Sequence, residues 1–264
     1  MRFTVATILA GAGLAAAQSL SSNCTTTLEN ILASPDAACL NPSGLVAAVA
    51  GANANTSVIT PLNSWLTGLC AQPACSNSTL SAVVANVTSG CSAELATAGL
   101  NNIDAGTLTT YVQEFYPAVR QAVCLKDTQN NTLCATELLT DLQTSLGTTL
   151  SLTAIVNLVP QLIAGTASIP SNIECSDCVK GVYNIVQQQV PTLVQGSVAS
   201  GVASACGASF TNGANPTEIA ELASTSTASA SGKTSGAALV SANGLVAIAA
   251  TGLVAVSSVF AILV

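Results

Sequence analysis

Ten cysteines and twelve carboxylates are the side chains in this sequence that could do chemistry, and histidine is absent altogether. Without imidazole, Ser-His-Asp and Cys-His catalysis are excluded, and the commonest transition-metal ligand is gone. Paired-carboxylate chemistry and hard-metal sites survive that test. Cys175-Ser176-Asp177-Cys178 has the spacing of a dithiol redox motif. Redox work of that kind needs a strand–helix–strand setting, which the flanking sequence does not supply, and zinc would need further thiolates or histidines. Structural disulfides are the better reading. Cys70-Ala71-Gln72-Pro73-Ala74-Cys75 either closes a small loop, as its proline favours, or staples two helices. Among the carboxylates, Glu137 and Asp141 lie four apart on one helix face. A glycosidase pair stands about 5–9 Å apart, so these two make a carboxylate-dependent hydrolase the residual function. No catalytic residue, metal ligand or cofactor is assigned.

The elements that must position these groups read as helices. Leu80, Val83, Val84, Val87, Cys91 and Leu95 form one face at helical spacing. Thr107 is expected to cap a helix carrying Leu108, Tyr111, Val112, Phe115, Val119 and Val123, kinked at Pro117. Leu138, Leu139, Leu142 and Leu146 form another face, stopped by Gly147. Cys178, Val179, Val182, Val186 and Val190 form a fourth, ended by Pro191, and Val194, Val198, Val202 and Cys206 a fifth. Shorter helices are expected at 25–33, 43–50, 58–69 and 152–163. No stretch alternates apolar and polar residues long enough to argue for a sheet. The expected fold is all-α: a disulfide-linked helical domain over residues 18–221.

The cysteines divide into two groups of five: Cys24, Cys39, Cys70, Cys75 and Cys91, then Cys124, Cys134, Cys175, Cys178 and Cys206. Residues 79–95 resemble residues 192–210, which suggests two related halves, 24–105 and 106–221. Five is odd, so complete pairing requires a bond between the halves. The connectivity is otherwise open, with about 945 pairings of ten cysteines. Each bridge typically contributes about 2–4 kcal/mol and supplements a core poor in aromatics.

Both ends read as export labels. Residues 1–17 have a positive start at Arg2, an apolar middle and a small-residue cleavage site at Ala15-Ala16-Ala17, the pattern of a signal peptide. That places all ten cysteines in an oxidising compartment. Asn23, Asn55, Asn77, Asn86 and Asn130 head N-glycosylation sequons. Residues 222–235 are small and polar, and are expected to form a disordered, Ser/Thr-rich stalk. Residues 236–264 supply a spacer and an uncharged apolar run, the order of a glycosylphosphatidylinositol (GPI) attachment signal, with Ser235 as the attachment residue. A transmembrane helix is the competing reading, since the 21 residues 244–264 would span about 31 Å. No Lys or Arg follows them to hold an end in the cytosol, which favours the GPI signal.

Charge is sparse. Only 6% of residues are charged, against about a quarter in ordinary soluble domains. There are 12 acidic and 5 basic residues, a balance with no electrostatic footprint for nucleic acid. The surface must be built of Ser, Thr, Asn, Gln and sugar.

Three stretches together carry a resemblance: Trp65-Leu66-Thr67-Gly68-Leu69-Cys70 with Pro73-Ala74-Cys75-Ser76; Cys175-Ser176-Asp177-Cys178-Val179-Lys180-Gly181; and Cys206-Gly207-Ala208-Ser209-Phe210 with Gly213, Pro216 and Ile219. Over residues 24–221 the chain resembles an uncharacterised family of fungal secreted, cysteine-rich, GPI-anchored cell-surface proteins. The resemblance implies a fungal origin, an extracellular location and a cysteine-stapled helical domain, and it carries no catalytic residue across. The expected function is a non-enzymatic cell-surface or cell-wall protein held to the membrane through a GPI lipid. Its candidate partners are cell-wall polysaccharide or a small apolar ligand. The alternative is a lipid- or sterol-binding surface protein, because apolar helical faces also suit an apolar pocket.

Overall fold

The computed structural model describes residues 21–50, 56–97, 104–151, 154–155, 157–158, 161 and 169–223. The expected signal peptide, Asn55, Ser235, the 236–264 tail and all but Leu222 and Ala223 of the stalk lie outside those residues. So does most of the helix expected at 152–163.

The described chain is predominantly helical. In order it forms α1 (Ser22–Ala33), a 3-10 turn (Pro35–Leu40), α2 (Pro42–Ala50), α3 (Ile59–Ala71), α4 (Asn77–Gly90), α5 (Ser92–Thr97) and α6 (Ala105–Val123). Then come β1 (Leu125–Asp127), β2 (Thr132–Leu133), α7 (Cys134–Leu146), α8 (Ser171–Glu174) and α9 (Asp177–Gln189). A 3-10 turn (Pro191–Val194), α10 (Ser197–Cys206) and β3 (Ile219–Glu221) complete the series.

Serine and aspartate set several starts. Ser21, Ser76 and Ser176 cap α1, α4 and α9 by accepting from backbone N–H groups of the first turn. Asp104, rather than Thr107, caps α6: its Oδ1 accepts from the Thr107 N–H at 2.9 Å and its Oδ2 from the Thr107 hydroxyl at 2.5 Å. A carboxylate at this position also meets the positive end of the helix dipole. The helix then runs through Pro117. Gly147 (φ 62°) terminates α7 as the sequence implies.

Two departures from the sequence reading have local causes. The face drawn through Val194, Val198, Val202 and Cys206 is not one helix. Gln195 is extended and Gly196 takes φ 63°, ψ −121°, a conformation glycine tolerates best, so a 3-10 turn precedes α10. There is also a sheet. β1 pairs antiparallel with β2 (Lys126 opposite Leu133) and with β3 (Lys126 opposite Ala220), in the order β2-β1-β3. Its strands are two or three residues long, too short to leave an alternating pattern.

Two buried clusters form the core. The first gathers Ile59, Leu62, Leu66 and Leu69 of α3 with Val123, Leu139, Leu142 and Leu150. The second gathers Val179, Val182, Tyr183 and Val186 of α9 with Leu125, Leu138, Ile173 and Phe210. The end of α6 and the length of α7 serve both: Ala122 and Leu138 point into one cluster, Val123 and Leu139 into the other. Consecutive helical residues point about 100° apart, which lets one helix wall two cores.

The ten cysteines form five disulfides: Cys24–Cys91, Cys39–Cys75, Cys70–Cys124, Cys134–Cys178 and Cys175–Cys206. Neither close pair bonds to itself. Cys70 and Cys75 reach different partners, as do Cys175 and Cys178, so each spacing staples separate elements. Cys70–Cys124 is the bridge between residues 24–105 and 106–221. Beside it, buried Arg120 donates to the Leu69 and Gln72 carbonyls at the end of α3.

The three stretches with a family resemblance are packing devices. Trp65 Nε1 donates to the Leu40 carbonyl, and Asn41 Nδ2 donates to the Trp65 carbonyl. A Cβ at Gly68 would lie 2.2 Å from that Asn41 nitrogen. Gly181 lets α9 approach the sheet, because a Cβ there would meet Leu125 at 3.0 Å and Ile219 at 3.3 Å. Phe210 packs on Tyr183, ring centroids 6.0 Å apart and planes at 58°.

Replacing Cys70 and Cys124 together by alanine frees a loop whose ends are 54 residues apart. Chain-entropy arithmetic gives a loss of about 4 kcal/mol, to be read from the shift in a denaturant-unfolding curve. Arg120→Met removes the donors to two α3 carbonyls, and the same measurement should fall by about 2–3 kcal/mol.

Candidate functional site

Outside the filled cores, the described residues enclose one notable groove, of about 560 Å³, between α3, the β1–β2 hairpin and the start of α7. Its apolar part is Ile59, Cys70, Ala71, Leu133 and Leu222. Its polar part is Thr60, Asn63, Thr67, Lys126, Asn131, Thr132 and Thr136. Helical spacing puts Thr60, Asn63 and Thr67 on one side of α3. The wall offers hydroxyls and amides in place of a continuous apolar lining.

Several of these groups are held by the protein. Thr136 donates its hydroxyl to Asn63 Oδ1 at 2.8 Å, and Thr67 to the Asn63 carbonyl at 2.8 Å. Thr132 donates to the Asn130 carbonyl at 3.0 Å. With Oδ1 engaged, Asn63 presents its amide nitrogen as a donor, while the threonine oxygens keep acceptor capacity.

A carboxyl pair occupies the neighbouring turn. Asp127 accepts from the Gln129 N–H at 2.7 Å and the Asn130 N–H at 3.2 Å, and from Asn130 Nδ2 at 2.8 Å. Burial pushes its affinity for protons up, but the hydrogen bonds from Asn130, Gln129 and Glu137 outweigh burial and hold it below its ordinary value. Glu137, one turn into α7, is pushed up, first by burial and then by the negative charge of Asp127. Its Oε2 is buried without a hydrogen-bond partner. The two carboxyls are thus pushed apart in proton affinity, Glu137 up and Asp127 down. Sequence spacing had joined Glu137 to Asp141 instead. Asp141 adds only a smaller repulsion, because the hairpin folds Asp127 back over the first turns of α7. Neither Asp127 nor Glu137 lines the groove.

The other candidates are dispersed. Asn23, Asn77, Asn86 and Asn130 are exposed, as glycan acceptors must be. Asn130 donates one amide hydrogen to Asp127, and its nitrogen carries a second. Tyr183 and Phe210 are buried in the second core, and Tyr116 accepts at its hydroxyl from the Cys75 N–H at 2.9 Å. No aromatic residue lines the groove. Cys24, Cys91 and Glu94 cluster closely enough for a metal, but both sulfurs are spent in a disulfide. Glu94 Oε1 accepts instead from the Ser21 N–H at 2.6 Å, which fastens the start of α1 to α5. Among the described residues no helix is long and apolar enough to cross a membrane.

Sequence reasoning missed the groove, because its wall joins α3 to a hairpin more than fifty residues away. It missed Arg120 as well, although an arginine between Val119 and Val123 was a readable sign of a buried cation. No protein-family model, curated protein or solved structure matches this chain.

Glu137 gives a signed pH test. Its affinity for protons is higher folded than unfolded, so its contribution is fully present below the ordinary value of 4.5 and is lost as pH rises through the raised folded value. Between about pH 4 and about pH 7, Glu137→Gln should therefore gain stability relative to wild type as pH rises, measured by paired urea titrations.

Proposed function

We propose that this chain is a non-enzymatic cell-surface protein, a disulfide-braced helical ectodomain carried outside the cell on a GPI anchor at Ser235 or transferred from it to the wall. The observation that carries this reading is the pairing of all ten cysteines, in bridges that begin at Cys24 and end at Cys206. Disulfides in that number persist in oxidising compartments. Four sequons on exposed positions support the same placement. The order of Ser/Thr-rich segment, spacer and uncharged apolar run supports the lipid attachment.

The acidic groups support the non-enzymatic half of the proposal. Glu137 and Asp127 restrain a hairpin, Glu94 restrains the start of α1, and Asp104 caps α6. Each of these four carboxyls takes part in local structure.

Cells producing the full chain should release it to the medium on treatment with phosphatidylinositol-specific phospholipase C. Mass spectrometry of the released protein should find a C-terminal peptide ending at Ser235 with the anchor remnant attached. A membrane-retained protein that still carries residues 236–264 would sink the anchor reading.

A further inference from the structure

We infer that the groove between α3 and the hairpin binds an acidic sugar, a polyhydroxylated ligand carrying a carboxylate. The chain has 12 acidic and 5 basic residues, yet no Asp or Glu lines this groove, and Lys126 does. Its cross-strand neighbours are Leu133 and Ala220, neither of them charged. Asp127, the next residue along β1, belongs to the opposite side of the strand, where Asn130 and Glu137 hold it. Glu221 of β3 stands opposite Leu125 and so shares the Asp127 side of the sheet, which leaves the ammonium offered to the groove with no carboxylate on its own side.

The polar groups around it restrict the ligand further. Thr136 and Thr67 spend their hydroxyl hydrogens on Asn63, and Thr132 spends its own on the Asn130 carbonyl. What remains toward the groove is acceptor capacity on the threonine oxygens and the donating amide nitrogen of Asn63. A ligand matched to this wall brings hydroxyl hydrogens for the threonines and an anion for Lys126 and Asn63. Leu222 and Leu133 offer an aliphatic surface to the C–H face of a sugar ring. A fatty acid supplies the anion but no hydroxyls, and its tail would lie against threonine and asparagine. A neutral sugar leaves Lys126 unanswered.

This inference does not depend on the anchor, so the two fail separately. The test is titration of the purified, processed protein with a short oligogalacturonate, a neutral malto-oligosaccharide of equal length and a fatty acid, followed by NMR and calorimetry. Saturable binding of the uronate is expected, with shifts centred on Lys126, Asn63 and Thr136. Lys126→Gln should weaken it about tenfold, the change expected for loss of one charge-assisted hydrogen bond. Asn63→Asp keeps an acceptor for the Thr136 hydroxyl and adds a negative charge, so it should weaken uronate binding further while far-UV circular dichroism and melting stay unchanged. No saturable uronate binding, equal binding of the neutral sugar, preference for the fatty acid, or unaltered affinity in both folded variants would each overturn the assignment.

Discussion

The end of α3 is fastened to the end of α6, which walls both cores, and the rest of the domain depends on how that junction is held. Cys70 is bonded there to Cys124, and Arg120 closes the Leu69 and Gln72 carbonyls. A helix C-terminus carries unpaired carbonyls and a partial negative charge, so a buried guanidinium answers both needs at once. Because Arg120 lies one turn before Cys124, the C-cap of α6, the covalent and the hydrogen-bonded contact act on the same piece of chain. α6 then passes directly into β1, which packs on α9 and the second core. Movement at this junction would be felt in both clusters.

The composition explains why such fastening is needed and how the chain folds with so few charges. Threonine and serine normally weaken helices by competing for backbone hydrogen bonds. Here many of their hydroxyls donate to the carbonyl one turn back: Thr25 to Ser21, Thr67 to Asn63, Thr88 to Val84, Thr110 to Gly106, Thr140 to Thr136 and Thr144 to Thr140. The hydroxyl is satisfied inside the helix and the methyl is left free for packing. Among the described residues the surface is built in this way without ion pairs. Bonding between elements then falls to a few side chains such as Arg120, Trp65 and Glu94, and to the disulfides.

Much of this was legible in the sequence where the signal is local. Apolar spacing found the bodies of α4, α6, α7 and α9, and Gly147 marked the stop of α7. The odd count in each cysteine group required a cross-bridge, which is Cys70–Cys124. Contacts between distant segments were not legible. Glu137 lies near Asp141 as spacing along α7 implied, but its stronger neighbour Asp127 comes from a hairpin that spacing could not reveal. β3 joins β1 from more than ninety residues away through a three-residue strand. Apolar four-residue steps suggested one helix from Val194 to Cys206, although Gly196 carries the chain into φ 63° and divides it. A periodicity argument weighs side chains, and that position was decided by the backbone.

The groove lies at the end of the described chain from which the proposed tether would leave. Leu222 forms part of the groove wall, and Ala223 packs against the first core, so the described chain ends on the groove side of the domain. An anchor at Ser235 would be linked to that side by twelve residues, which reach at most about 40 Å when fully extended. That reach is about the diameter of a domain of this size, so such a tether would leave the groove free to face either the membrane or the surroundings.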